Sequence, residues 1–221
     1  MSDIDNKVPS LIYIMGIDGS GKSTVSEYLA EQLRGKGYKV DVLWLRFNHV
    51  ITKPLLGFCR LIGLTKYETC NGIRVGYHDF YKSSIISFFF IFFQYLDALR
   101  VKYTRILPLM KKDKHIIILD RYVYDILIDL AVDTRQENLI YSWFGKKFRD
   151  LLPAGSNLML VRRDLSEVLS ARPEGVVDRN FESRYEHYQK LSDDLGINII
   201  NNDGSLDDLL SSAMSASGLS Q

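Results

Sequence analysis

With 221 residues, 46% of them hydrophobic, the chain can build one well-packed α/β domain and is too short for two of ordinary size. A net charge of +1 excludes a global electrostatic pull toward nucleic acid or anionic lipid, so neither is expected as a partner. Cys59 and Cys70, the only cysteines, have no metal-ligand spacing, and Met1 to Ser10 lack a signal-peptide core; both point to a reduced, cytoplasmic setting.

Residues 11–15 are apolar and β-prone and predict a first strand, followed by a glycine loop at 16–23. From Thr24 through Arg34, the residues Val25, Tyr28, Leu29 and Leu33 fall on one helical face. A second strand is predicted over 39–45, a helix over about 51–62, then a polar, glycine-bearing linker to Asp79. The most hydrophobic run, 85–93, opens a helix reaching about Tyr103. Lys82 bounds it on one side and Gln94, Asp97 and Arg100 on the other, leaving it short of the roughly 20 apolar residues that span a bilayer. It is expected to be a core helix, covered by the domain on one side and by a partner subunit on the other, without stable membrane insertion. A third strand is predicted at 115–120, two helical stretches lead to Leu152, and strands four and five lie at 157–161 and 197–201. Short apolar strands alternating with helices predict a parallel sheet covered on both faces.

The loop reads Gly-Ile-Asp-Gly-Ser-Gly-Lys-Ser, a complete G-x-x-x-x-G-K-[ST] pattern. Gly16, Gly19 and Gly21 let the backbone around Asp18 and Ser20 curl, so that successive N–H groups face anionic oxygens. Lys22 reaches the β- and γ-phosphates, the Ser23 hydroxyl can ligate Mg²⁺, and Thr24 opens the helix whose positive dipole end faces the phosphates. ATP and Mg²⁺ are the expected cofactors. The third strand ends in Asp120, placed to hold Mg²⁺ directly or through water, followed by Arg121 and Tyr122. Arg162, Arg163, Arg172, Arg179 and Arg184 cluster without lysines, and residues 172–179 read as a connection between two helices. Such a segment, at about 163–184, is what a lid over a triphosphate requires: it excludes water and brings positive charge to the transition state.

Asp18 inside the loop, Asp120-Arg121-Tyr122, the arginine-rich segment and the C-terminal run 200–209 together resemble the thymidylate kinase family. The resemblance implies a single P-loop kinase domain over 1–221, a five-stranded parallel sheet of order 2-3-1-4-5, and a homodimer formed through the aromatic helix. It implies ATP-dependent transfer to dTMP or a related pyrimidine deoxynucleotide. It makes Asp18 a contact to the acceptor sugar, Arg121 a clamp between acceptor and donor phosphates, and Asn202, Asp203 and Ser205 a cradle for adenine. Gly19 stands where some members carry arginine, so Arg172 or Arg179 is expected to act at the transition state.

The chain also departs from that pattern. Arg46-Phe47-Asn48-His49-Val50 replaces Arg-Glu-Pro-Gly-Gly, and Asp125, Asp129 and Leu130 replace a serine and Tyr-Gln. Arg46 and Arg74 are the candidates for an acceptor phosphate, with Tyr122 and Asp125 beside them. Phe90, Gln94 and Asp97 share a helix face, which either stacks and reads a nucleobase or marks the helix turning to solvent. Two further classes of function stay open: a kinase acting on a nucleoside or sugar hydroxyl, with Asp125 or Asp18 as base, and a non-catalytic nucleotide-binding protein. His49 and His78 are read as ordinary surface or core histidines.

Overall fold

The computed structural model describes residues 9–46, 48–70, 72–176, 178–191 and 195–219, with the backbone alone at 70, 73, 74, 173 and 174. Its sheet is formed by β1 (Leu11–Met15), β2 (Lys39–Trp44), β5 (His115–Asp120), β6 (Asn157–Arg162) and β7 (Ile197–Asn201). All pairings are parallel, in the order β2-β5-β1-β6-β7; counted along the sheet's own strands this is 2-3-1-4-5, as expected. Every residue of the central β1 is buried, the signature of a strand covered on both faces.

The period of two divides the core. Leu11, Tyr13, Met15, Ile117 and Leu119 face one side, where α3 (Ser84–Val101), α5 (Val123–Thr134), α6 (Trp143–Arg149) and α8 (Phe181–Lys190) pack. Ile12, Ile14, Ile116 and Ile118 face the other, against Val25, Leu29 and Leu33 of α1 (Lys22–Gly35) and Leu209 and Ala213 of α9 (Leu206–Ser217). The remaining helices are α2 (Lys53–Leu61), α4 (Leu107–Met110) and α7 (Leu165–Ala171).

The linker predicted before Asp79 is instead an antiparallel hairpin, β3 (Thr65–Cys70) with β4 (Ile73–His78), turning at Gly72 with φ +79°. Its strands carry charge and few apolar residues because the hairpin stands apart from the main sheet, so apolar alternation does not announce it.

The aromatic helix is longer than its Phe run. The helical stretch Ser84–Met110 is long and apolar enough by length and composition to cross a membrane, and 39% of its apolar window is buried inside the domain. One face, with Phe90, Ile91, Gln94, Asp97, Ala98 and Val101, packs inward; Ile85, Phe88, Phe89 and Phe92 face outward. Phe88 meets Phe144 of α6 edge-on at 6.2 Å, and Trp143 beside it is also exposed, which extends the aromatic surface onto a second helix.

Candidate active site

The phosphate loop folds as its glycines require. Gly16 has φ +145°, and a Cβ there would lie 2.5 Å from the Val161 carbonyl oxygen; at Gly21, φ +101°, it would lie 2.6 Å from Asn202 Nδ2. Only glycine meets both demands. Asn202 Nδ2 donates to the Ser20 carbonyl at 2.8 Å and ties β7 to the loop. α1 starts at Lys22 with Gly21 as N-cap and no side chain capping it, so its first N–H groups are left to the loop. A polar cavity of about 420 Å³ opens here between Asp18, Lys22, Ser23, Asp120, Arg121 and Arg172.

Lys22 is buried, and its Nζ donates to the Ile17 carbonyl of its own loop. Burial and the neighbouring Arg121 push its pKa down to about 7, so it is a cation that lacks an anion of matching charge. Asp120 at the end of β5 presents the opposite problem. Burial raises its pKa, and its Oδ1 is buried without a hydrogen-bond partner among the described residues. An orphaned carboxylate oxygen on a residue that lines the same polar cavity as the exposed Ser23 fits a divalent cation.

Arg121 follows with φ +66°, a left-handed conformation that costs a non-glycine residue about 1–3 kcal/mol. Its ion pairs hold it there: Nη2 binds Asp18, and Nη1 lies 3.6 Å from Asp125. Burial would raise the Asp18 pKa, but Arg121, Lys22 and Arg46 bring it down to about 2. Arg46 spans the next gap, with Nη1 on Asp18 at 3.0 Å and Nε and Nη2 each 3.1 Å from an Asp129 oxygen.

Beyond Arg46 lies a second cavity, of about 260 Å³, between α3, the hairpin and α5. Arg46, His49, His78, Phe90, Gln94, Asp129, Asp133 and Arg184 are among its walls. A smaller cleft between them shares walls with both, Asp18 and Arg121 with the first cavity and Arg46 and Arg184 with the second. Gln94 Nε2 lies 2.9 Å from His49 Nδ1. Burial lowers the pKa of His49, and that of His78 to about 4, so both rings are neutral at physiological pH.

Several expected site residues do other work. Asp97 is buried and accepts hydrogen bonds from the Val50, Ile51 and Thr52 amides and the Thr52 hydroxyl, pinning the start of α2; it does not line the second cavity. Gln94, three residues earlier, does. Tyr122 is 1% exposed and donates to the Ala98 carbonyl at 2.7 Å, which makes it a core side chain and not a substrate contact. Asp125, also 1% exposed, accepts from the Tyr13 and Tyr188 hydroxyls and the Tyr122 amide, so its oxygens are occupied and it is unsuited to act as a base. Ser205 caps α9 reciprocally with Asp208, and Asp203 accepts from the Asp164 amide. Arg74 lies among residues whose side chains are not described.

The arginine cluster divides by task. Arg162 donates to the Gln189 and Leu191 carbonyls at the end of α8, Arg163 to the Gly19 carbonyl, and Arg184 to Asp129 and Asp178. Arg172 lines the phosphate cavity. Arg179 turns the other way, with Nη2 3.0 Å from Asp79 and its guanidinium stacked over Tyr77 of the hairpin.

The sequence reads His49 and His78 as ordinary histidines and does not single out Asp133, or Arg184 as a residue of the second cavity. The available signal was the spacing Ile126, Asp129, Leu130 and Asp133, which places two aspartates on one face of α5. The histidines carry no such signal: His78 ends a hairpin strand that apolar alternation does not announce, and His49 stands in a loop whose approach to α3 is set by the tertiary fold.

No family model matches the chain. A curated relative described as a probable thymidylate kinase from Archaeoglobus fulgidus is 61% identical over 33 residues, which cover 15% of this chain and 17% of that protein. Among solved structures, the thymidylate kinase of Ehrlichia chaffeensis is similar with a TM-score of 0.53 at 15% identity, over 95% of this chain and 96% of that one. The chain thus shares the fold of a thymidylate kinase over nearly its whole length, and one short stretch of its sequence is similar to another protein described as one.

Proposed function

We propose that the chain transfers the γ-phosphoryl group of ATP to a nucleoside monophosphate, with dTMP or a related pyrimidine deoxynucleotide as the acceptor. One observation carries this reading: Asp18, Arg121 and Arg46 form a continuous ion-pair chain between a polar cavity at the phosphate loop and an aromatic-walled cavity at α3. The transferring group would cross at that bridge. Loop amides and Lys22 hold the donor phosphates, and Arg121 clamps both partners. Phe90 offers a face for a planar base and Gln94 an amide for its edge. Asp120 and Ser23 would hold Mg²⁺, which neutralises phosphate charge when bound. Residues 163–184 serve as the lid that excludes water. An acceptor that arrives as an anionic phosphate attacks without a general base, consistent with the enclosure of Asp125.

Arg46→Ala is expected to raise the acceptor KM far more than that of ATP, because Arg46 sits on the acceptor side of the bridge. Unchanged acceptor kinetics in that variant overturn the assignment. A hydroxyl-kinase reading has its own support, since Asp129 already neutralises both Arg46 and Arg184 and leaves less positive charge for an acceptor phosphate. Under it the base is Asp18, whose side chain is 52% exposed and would have to exchange its contacts with Arg121 and Arg46 for the substrate hydroxyl. Phosphorylation of nucleosides but not monophosphates, lost in Asp18→Asn, selects that reading.

The outward aromatic face of α3, with Trp143 beside it, is proposed to pair with a second copy of the chain. Light scattering in detergent-free buffer is expected to give a dimer that Phe88→Glu converts to monomer. A monodisperse monomer, or solubility only in detergent, rules this out.

A further inference from the structure

Asp129 and Asp133 sit one helical turn apart on α5, and both line the acceptor cavity. Their situations differ. Asp129 is held by Arg46 at 3.1 Å and by Arg184 at 2.9 Å; burial would raise its pKa, but the two guanidinium groups bring it below the usual carboxylate range. Asp133 is only 5% exposed and makes no hydrogen bond or ion pair among the described residues. Leaving a buried carboxyl unpaired is costly, and a helix built only for packing would carry an apolar residue at this position, as it does at Ile126 and Leu130.

The charged and titratable groups facing Asp133 come from every side of the cavity. They are Asp129 on its own helix, Arg184 of α8, Asp178 ahead of α8, Arg46 after β2, and the neutral His49 and His78. The cations are already engaged by Asp129, Asp178 and Asp18. Burial therefore outweighs Arg184, and the Asp133 pKa is pushed up to about 8. At pH 7 the group is a neutral carboxylic acid, with one O–H donor beside one acceptor oxygen. That pair is complementary to any planar edge presenting an acceptor next to a donor, as the lactam and amidine edges of nucleobases do.

We propose that Asp133 is a specificity residue of the acceptor cavity, pairing through two hydrogen bonds with the donor–acceptor edge of the acceptor's nucleobase. The assignment rests on the nucleotide reading above and deepens it: α5 reads the base from the side opposite Gln94 of α3. An acceptor without such an edge, such as a plain sugar phosphate, would leave Asp133 unpaired and is disfavoured.

The test compares Asp133→Asn, which keeps a donor beside an acceptor but cannot ionise, with Asp133→Leu, which removes both while keeping the branched heavy-atom skeleton. Calorimetric affinities for dTMP, dUMP, dCMP and their nucleosides are measured together with KM and kcat over the two pH units centred on 8, and with melting temperature as a control for folding. Asp133→Leu is expected to weaken the preferred ligand by about tenfold or more in Kd and KM with a smaller change in kcat. Asp133→Asn should stay close to wild type below pH 8 and lose the rise in KM that the wild type shows above it. The proposal is overturned if Asp133→Leu binds as the wild type does, if the alkaline rise in KM persists in Asp133→Asn, or if the wild type binds none of these ligands. If nucleosides or nucleotides bind but no monophosphate is phosphorylated, and Asp133→Leu loses that binding, the monophosphate-kinase reading fails while the assignment of Asp133 stands.

Discussion

Lys22→Met is expected to lower phosphoryl transfer by about 10²–10³-fold or more and, in the absence of nucleotide, to raise the melting temperature at neutral pH. Both effects follow from one buried cation. Lys22 lies in the phosphate cavity with its Nζ turned onto the Ile17 carbonyl, and burial with Arg121 beside it brings its pKa from 10.5 to about 7. Between those two values the unfolded chain holds a proton at Lys22 that the folded chain has released. Folding stability therefore rises with pH across that window, and below pH 7 the folded protein bears the full cost of the buried charge. Methionine carries no such cost. The variant's advantage in melting temperature should be largest at and below pH 7 and should close as pH approaches 10.5. Added ATP should reverse the order, because phosphate oxygens supply the missing anion to lysine and nothing to methionine. Undiminished turnover in a folded Lys22→Met protein would sink the active-site assignment; a melting temperature below that of the wild type at pH 7 would count against a strained lysine.

The phosphate end of the site was legible in the sequence because its parts are local. A strand, a glycine loop and a helix start are contiguous, and glycine at 16 and 21 is demanded by backbone geometry that no other residue satisfies. The sheet was equally legible, since its apolar runs alternate with helical periods at regular intervals and parallel crossovers leave few topologies.

The end that we propose takes the acceptor is assembled from pieces distant in the chain: the loop after β2, the β4 strand, one face of α3 and one face of α5. Helical spacing alone could not tell which polar residue of a face meets the cavity and which anchors a neighbouring loop. Gln94 and Asp97 share a face, yet Asp97 turns to the amides at residues 50–52 while Gln94 meets His49. Asp125 shows the same limit. Its place after Asp-Arg-Tyr suggested a base, but Tyr13 from β1 and Tyr188 from α8 close over it, and neither approach is visible without the tertiary fold.

Arg172→Ala should lower kcat by about 10³-fold, the low end for an arginine finger, whereas Arg179→Ala should cost less than about tenfold. The sequence offered the two arginines as equals, seven residues apart in one segment. Their surroundings separate them. Arg172 lines the phosphate cavity, and its Cγ would lie 3.0 Å from a Cβ built on Gly19, so its stem already runs along the loop. Glycine at that position lets the arginine approach, and it removes the loop's own candidate for a cation at the transferring phosphate. Arg179 is directed to the β3–β4 hairpin: its Nη2 binds Asp79, its Nη1 lies 3.8 Å from Glu68, its guanidinium lies over the Tyr77 ring, and its amide donates to the Tyr77 hydroxyl. Asp79 is buried, with only Lys82 and Arg179 as ion-pair partners among the described residues, so releasing Arg179 would leave Lys82 as its single counter-charge. Removing Arg179 should therefore act on the hairpin that carries His78, raising the acceptor KM and lowering stability more than it slows transfer. Single-turnover rates at saturating ATP and acceptor, measured beside melting temperatures, separate the two roles. Equal losses of kcat in both variants would mean that the segment rearranges on closure far enough to bring Arg179 off Asp79. Near-native rates in both would reduce residues 163–184 to a solvated connector.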